Sequence, residues 1–373
     1  MAQIETLISG NGDLARTLVV VFLRGGADGL TLVPPVEEDR YHKLRRRLAV
    51  PKSKAVPLDE VFGLHPLLAE LGPIFKEGHL AVVHAAGSED QTRSHFEAQD
   101  LMEHGGMVAG GWLGRFLRHR TGGTGGALSA VALGRELPEC LRGAPSATVL
   151  QSIDDFSLGS GSESLAQALG RLYQGEHNRL GQAATDTLDG LQRIAQLKST
   201  PYHPEHGAVY GRDDFASGLM QIARLIKARV GLEAASINLG GWDSHFTQET
   251  LITPLISRLG SGLAAFHRDL GRLGDTTSVV VLTEFGRRVR ENASFGTDHG
   301  RGGVMFVMGG GVAGGKIHGA WPGLEDEALE DPGDLPVANN YRDILAPVLQ
   351  RHGAGDTLDR IFPGFALQPL ALY

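Results

Sequence analysis

The feature that most constrains this chain is a short apolar, β-branched run that stops abruptly at glycine or a carboxylate. Ser278-Val279-Val280-Val281-Leu282 ends at Thr283-Glu284, and Leu18-Val19-Val20-Val21-Phe22-Leu23 ends at Arg24-Gly25-Gly26-Ala27-Asp28. Uninterrupted runs of this kind predict strands buried on both faces, which requires helices on both sides of a mostly parallel sheet. Ala234 to Leu239 repeats the pattern and feeds Gly240-Gly241-Trp242-Asp243-Ser244-His245, while Leu80 to His84 leads into a polar loop and a helical pattern beyond Ser94. Val304 to Met308 follows Thr297-Asp298-His299-Gly300, so two strands flank a loop carrying Glu284, Asp298 and His299. The expected fold class is therefore α/β, with a mostly parallel central sheet sandwiched between helices.

Between the strands, apolar spacing predicts helices over Val36 to Leu48, Leu64 to Glu77, Ser164 to Lys198 (one or two), Phe215 to Val230, Phe246 to Leu273 and Ile344 to Gln350. The basic run Lys43 to Arg47 reads as a solvated helix face. In open α/β sheets, ligands collect beyond the carboxyl ends of the strands. Asp28, Asp243, His245, Glu284, Asp298 and His299 all fall at such ends, and Ser94 falls at a helix start.

Each of these residues has an ordinary alternative. Asp28 can cap the next helix, Asp243 or Ser244 can do the same, and Ser94 with Glu97 fits a capping box. The alternative for Ser94, or for Thr92, is a nucleophile at exposed helix amides, with Arg93 and His95 beside it. Asp243 and His245 alternate in an extended loop and so can point to one ion. It is the shared position of all these groups that favours a site.

The donor types narrow the chemistry. The chain has one cysteine, Cys140, so it can form neither an internal disulfide nor a thiolate metal cluster. Carboxylates and imidazoles suit Zn²⁺, Mn²⁺, Mg²⁺ or Ca²⁺, and such an ion assists ester hydrolysis by neutralising oxyanions and lowering the pKa of a bound hydroxyl or water. A formal net charge of −8 argues against nucleic acid as partner. No apolar run approaches the roughly 20 residues that cross a bilayer. The Gly309 to Gly315 run lacks the spacing, lysine and hydroxyl of a phosphate loop and is read as a loop kept free of side chains.

The strings VVVFLRGGADGLTLVPP, HAAGSEDQTRSHFEAQD, GGWDSH, TEFGRRVREN and GTDHGRGG resemble the bacterial domain-of-unknown-function family numbered fifteen hundred and one. That family is similar to the alkaline phosphatase and sulfatase superfamily. The resemblance runs from about Leu18 to the C-terminal helix, and residues 1–373 are expected to form one alkaline-phosphatase-like domain. It implies a metal-dependent site in which Asp28, Asp243, His245, Glu284, Asp298 and His299 bind or orient metal and Ser94 is the nucleophile. Arg24, Arg93, His95 and Arg287 are assigned to a small anionic ester substrate.

One position departs from the pattern. Where the superfamily has Asp-His after the strand, this chain has Glu284-Phe285, so one imidazole is missing unless Asp298 or His95 substitutes. Two readings follow: a metal-dependent hydrolase of phosphate or sulfate esters, or a non-catalytic binding or scaffold protein that retains the fold with a degraded metal site. Many members of the family carry twin-arginine leaders, and this sequence shows none. The expected compartment is the cytoplasm, or the periplasm or exterior where a leader has been removed.

Overall fold

The computed structural model describes residues 16–123, 125–154, 162–173 and 178–373. The N-terminal stretch read as carrying no leader lies outside the described residues. Eleven strands are present among them: β1 (Thr17–Arg24), β2 (Val56–Pro57), β3 (Gly63–Leu64), β4 (Leu80–Gly87), β5 (Ala130–Leu133), β6 (Thr148–Leu150), β7 (Ala234–Gly240), β8 (Thr277–Thr283), β9 (Gly303–Gly309), β10 (Ile317–His318) and β11 (Asn339–Asn340). The main sheet runs β10-β4-β9-β8-β1-β7-β5-β6, and β11 also pairs with β4. β1 pairs in parallel with both β7 and β8, and β5 pairs in parallel with β6 and β7. β9 alone reverses, antiparallel to β4 and β8. The expected α/β class, with a mostly parallel central sheet between helices, is observed.

The unbroken apolar runs have the predicted cause. Val19, Val21 and Leu23 of β1 enter one core, with Ile222 and Leu225 of the helix Asp214–Lys227 and Leu259 and Leu263 of the helix Gln248–Leu270. Leu18, Val20 and Phe22 enter the opposite core, with Phe116 of the helix Trp112–His119 and Ile344 and Val348 of the helix Tyr341–Arg351. Strand side chains alternate between faces, so a strand covered on both sides must be apolar at every position. Each fully buried valine or leucine contributes about 1.5–3 kcal/mol over its exposed state.

This topology gathers the loops. The register pairs Leu23 with Thr283 and Arg24 with Gly240, so β1, β7 and β8 end on one edge of the sheet. β9 pairs Gly303 with Ala86 near the end of β4, so its reversed direction brings the segment before it, with His299, to that same edge.

Several helix expectations change at their ends. Ser164 to Lys198 resolves into two helices, Ser162–Tyr173 and Arg179–Lys198. The span from Leu64 holds a strand residue, a 3₁₀ turn Pro66–Leu68 and a helix Leu71–Lys76, with Pro73 in the first turn where no amide is required. Val36 to Leu48 contains only the short helix Asp39–Leu44. The solvated-face reading of Lys43 to Arg47 fails at Arg45, which is fully buried because its guanidinium pairs with Asp28.

One pH dependence arises here. His84 of β4 is buried, accepts from the Ala85 amide at Nδ1 (2.9 Å) and donates from Nε2 to the Val33 carbonyl (3.1 Å), so the neutral ring is fully satisfied. Burial pulls its pKa down from 6.5 to about 4. A depressed folded-state pKa gives stability that is present above 6.5 and is lost as pH falls through about 4. Thermal melting is therefore expected to fall over this window, and His84→Gln should flatten that part of the profile. An unchanged profile in the variant would refute the assignment.

Candidate metal centre

Three imidazoles and one carboxylate converge at the gathered edge. Asp243, His95 and His299 each place one ligand atom within 4.8 Å of the others. His245 joins them, its Nε2 lying 3.0 Å from Asp243 Oδ1 and 3.0 Å from His299 Nε2. His299 Nε2 is in turn 3.2 Å from Asp243 Oδ1.

The outer nitrogen of each ring is held by an acceptor. His95 Nδ1 donates to Glu284 Oε1 at 2.8 Å, His299 Nδ1 donates to the Arg93 carbonyl at 2.8 Å, and His245 Nδ1 faces Asp298 Oδ1 at 3.4 Å. A proton fixed on Nδ1 leaves the lone pair on Nε2, which is the arrangement metal-binding histidines adopt. Two such lone pairs meeting at 3.0 Å, on His245 and His299, require a proton or a cation between them. His95 Nε2 is buried with no hydrogen-bond partner, 3.4 Å from Asp243 Oδ2. An orphaned buried nitrogen costs desolvation energy that a bound cation would offset. The donor set fits a divalent metal.

The local sequence explains how these groups arrive. Gly25 carries φ +117, and a Cβ there would stand 2.5 Å from the Asp243 amide; a Cβ on Gly26 would stand 2.5 Å from the Phe285 ring. Only glycine lets the turn after β1 pass beneath both loops. Arg93 adopts φ 56, a left-handed conformation that is uncommon for a non-glycine residue, at the point where its carbonyl accepts from His299. The helix after β7 begins at Gln248 with Thr247 at its N-cap, so neither Asp243 nor Ser244 caps it and Asp243 is left for the cluster.

Electrostatics follow from these contacts. Burial would raise the Asp243 carboxyl, but the hydrogen bond from Arg287, the close approach of His299 and the Arg287 charge outweigh it and hold the group at about 2. The hydrogen bond to Glu284 raises His95 above its usual value against the effect of burial, whereas burial pulls His299 down. Glu284 itself is lowered: burial opposes ionisation, but His95, Gln99 and the Gly25 amide all hydrogen-bond to the carboxylate.

Several assignments made from sequence change place. Asp28 does not join the cluster: Arg45 grips both its oxygens (2.5 and 3.0 Å), and Thr31 and Gln248 donate to Oδ2. Glu284 and Asp298 stand behind His95 and His245 and orient them rather than reaching the centre. His95, assigned to substrate, stands among the candidate metal donors. Its ring lies 4.9 Å from Phe285 and 4.4 Å from His299, beside the position where the sequence has Phe285 and not a second imidazole.

The three arginines assigned to substrate are already engaged. Arg287 is buried and donates to the carbonyls of Gly25, Gly26, Trp242 and Thr297 and to Asp243. Arg93 pairs with Asp334, and Arg24 donates to Gln99 and Glu103. Ser94 precedes His95 at the helix His95–His104 and its side chain forms no cap, so the capping box is not made. Thr92 is tied to Asp90.

Sequence reasoning missed Gln99, which bridges Glu284 and Arg24, and Asn292, whose amide donates to the His245 carbonyl and to Asp298. Gln99 lies four residues after His95, one helical turn on and on the same face, which is the signal that could have found it. Asn292 sits in a loop without periodicity and carried none.

Among solved structures, the chain is similar to the C-terminal periplasmic domain of EcEptC from Escherichia coli in complex with Zn, at 8% identity and TM-score 0.37, covering 80% of this chain and 74% of that one. It is similar to Ps i-CgsB in complex with k-i-k-neocarrahexaose at 10% identity and TM-score 0.36, covering 94% and 75%. It is also similar to the alkaline phosphatase from the Antarctic bacterium TAB5 at 9% identity and TM-score 0.24, covering 79% and 92%. Comparison with curated proteins finds no match. The family model described as "Protein of unknown function (DUF1501)" matches residues 80–357, well over half of the sequence, and the chain belongs to that family.

Proposed function

We propose that this protein is a metal-dependent hydrolase of phosphate or sulfate esters. The observation that carries the reading is the convergence of three Nε2 atoms on Asp243, each ring with Nδ1 held from behind. Nitrogen-rich donors favour Zn²⁺ or Mn²⁺ over Mg²⁺ and Ca²⁺, which prefer all-oxygen shells. His95, Asp243, His245 and His299 would hold the ion. A bound ion of this kind supplies charge neutralisation for the ester oxygens and eases deprotonation of a hydroxyl or water.

The chain's own groups do the rest. Glu284 and Asp298 keep the imidazoles in the binding tautomer, and Arg287 fixes Asp243 while partly neutralising it. Ser94, half-buried and next to His95 in sequence, is the nucleophile candidate. Its hydroxyl forms no cap, which leaves it available for that role.

The engagement of Arg24, Arg93 and Arg287 favours a second reading, metal binding without ester hydrolysis. One experiment separates the two. The purified protein is dialysed against chelator, reloaded with Zn²⁺ or Mn²⁺, and assayed for metal content, melting temperature and turnover of aryl phosphate and aryl sulfate. Metal uptake with turnover that Ser94→Ala abolishes supports the hydrolase. Metal-linked stabilisation without turnover supports the second reading, and no uptake rejects both.

A further inference from the structure

We propose that a notch in the sheet over Gly240, walled by Arg24 and Asn238, receives the alcohol portion of the ester and selects one that carries further hydroxyl groups. This inference rests on the ester-hydrolase reading and names the substrate class of that site.

The notch comes from the uncovered end of β7. β5 pairs with β7 only as far as Ile237, whereas β1 pairs with it on to Gly240. The register sets Phe22 beside Asn238 and Arg24 beside Gly240, so these side chains share one face of the sheet. Asn238 is exposed although its strand runs between two others, and asparagine is disfavoured in strands. Its carboxamide has no partner among the described residues. A Cβ on Gly240 would meet nothing within 4 Å, so the place beside Arg24 is open.

Arg24 borders this space with part of its guanidinium unused. Nη1 alone donates, to Gln99 Oε1 at 2.9 Å and to Glu103 Oε2 at 3.1 Å, and the head lies 4.4 Å from the centre of the Phe22 ring. Nε and Nη2 keep their N–H groups free, on a side chain that is 24% exposed. The buried Glu103 answers the Arg24 charge, so a second anion here would compete with a carboxylate already in place. A neutral hydroxyl does not. It can accept from a free N–H of Arg24 and donate to the Asn238 side-chain carbonyl, using both of its capacities.

The notch adjoins the candidate metal centre. Gly240 opens the loop that carries Asp243, and both Gly240 and Gly241 are exposed. Gly25, next to Arg24, passes so close to that loop that a Cβ would stand 2.5 Å from the Asp243 amide. Gln99 links Arg24 to Glu284, which holds His95. An ester with its anion at the donors and its alcohol portion over Gly240 follows this surface.

The test compares glycerol phosphate with propyl phosphate, and glycerol sulfate with propyl sulfate, on the Zn²⁺-loaded protein; the members of each pair differ only in hydroxyl groups. Wild type is expected to favour the glycerol ester about tenfold in kcat/KM. Asn238→Ala should cut that preference about threefold to tenfold, mainly through KM. Gly240→Val, which places a side chain in the notch, should abolish it. Dihydroxypropyl and propyl phosphonate, whose C–P bond resists hydrolysis, should bind in the same order by calorimetric titration. Metal content and melting temperature are measured for both variants, and either one decides the matter where the other does not fold. Equal rates on both members of each pair in wild type, or an undiminished preference in the folded variants, would overturn this inference and leave the hydrolase reading standing. Failure of loaded wild type to turn over these esters and the aryl esters alike would overturn the hydrolase reading, and this inference with it.

Discussion

Replacing Asp28 with alanine is expected to destabilise the fold by about 3–5 kcal/mol, the cost of stranding a buried charge without its partner. The residue left behind is Arg45, which has no exposed surface. Two of its nitrogens bond to Asp28, and the Arg288 and Val289 carbonyls alone cannot neutralise the guanidinium. Gln248 would lose its acceptor as well. Urea denaturation should show a lower midpoint with an unchanged slope. The double variant Asp28→Ala with Arg45→Met should recover much of the loss, because removing both charges removes the stranded one. Burial alone would raise the Asp28 pKa, but the Arg45 charge and the hydrogen bonds from Arg45, Thr31 and Gln248 outweigh it and lower it. The sign for pH follows: this contribution is complete above the ordinary value of 3.8 and is lost as pH falls through the lowered one. Asp28→Asn should bind metal as wild type does. Lost metal with unchanged stability would return Asp28 to the ligand set.

Asp28 also shows why part of the site was legible in the sequence and part was not. Its position after an apolar strand is visible in the one-dimensional pattern, and so is the position of Asp243 after β7. What the pattern lacks is the partner. Arg45 lies 17 residues away, in a basic run that reads as solvated, and only the folded chain brings its guanidinium onto Asp28. The same limit moved Glu284 and Asp298. Sequence places them at strand ends beside the histidines, but whether a carboxylate faces the centre or the back of an imidazole is a matter of a few ångströms. The strands were legible because burial on both faces leaves a continuous apolar signature. Helix ends shifted where a buried polar contact or a proline overrode periodicity, as at Arg45 and Pro66.

The arginines followed the same logic. Arg24, Arg93 and Arg287 sit where an anion-binding residue should, yet each is used by the protein's own carbonyls or carboxylates. A buried guanidinium must satisfy its donors, and the backbone turns around Gly25, Gly26 and Trp242 supply acceptors for Arg287. In the proposed site Arg287 would therefore act through Asp243 and not through substrate.

His95→Gln is expected to reduce metal affinity more than a hundredfold and to remove the metal-linked rise in melting temperature. The scale comes from two comparisons. Loss of a residue that only orients a ligand costs about 10–100-fold in affinity, and His95 places a nitrogen in the cluster itself. Metal present at a hundred times its dissociation constant stabilises the folded state by about 2.7 kcal/mol, a shift that scanning calorimetry resolves. Glu284→Gln provides the internal standard. It keeps His95 in place but exchanges the acceptor of its Nδ1 proton for an amide, so its loss should stay within the orienting range. Phe285→His tests the substitution from the other side. The Phe285 ring packs 4.9 Å from His95 and 4.8 Å from His299, and a second imidazole there would meet a position His95 already fills. In the wild-type background Phe285→His should therefore gain little affinity, whereas combined with His95→Gln it should recover part of what was lost. Full affinity in His95→Gln alone would mean that Asp243, His245 and His299 suffice without it, and that the orphaned Nε2 of His95 serves the substrate, as its position next to Ser94 first suggested.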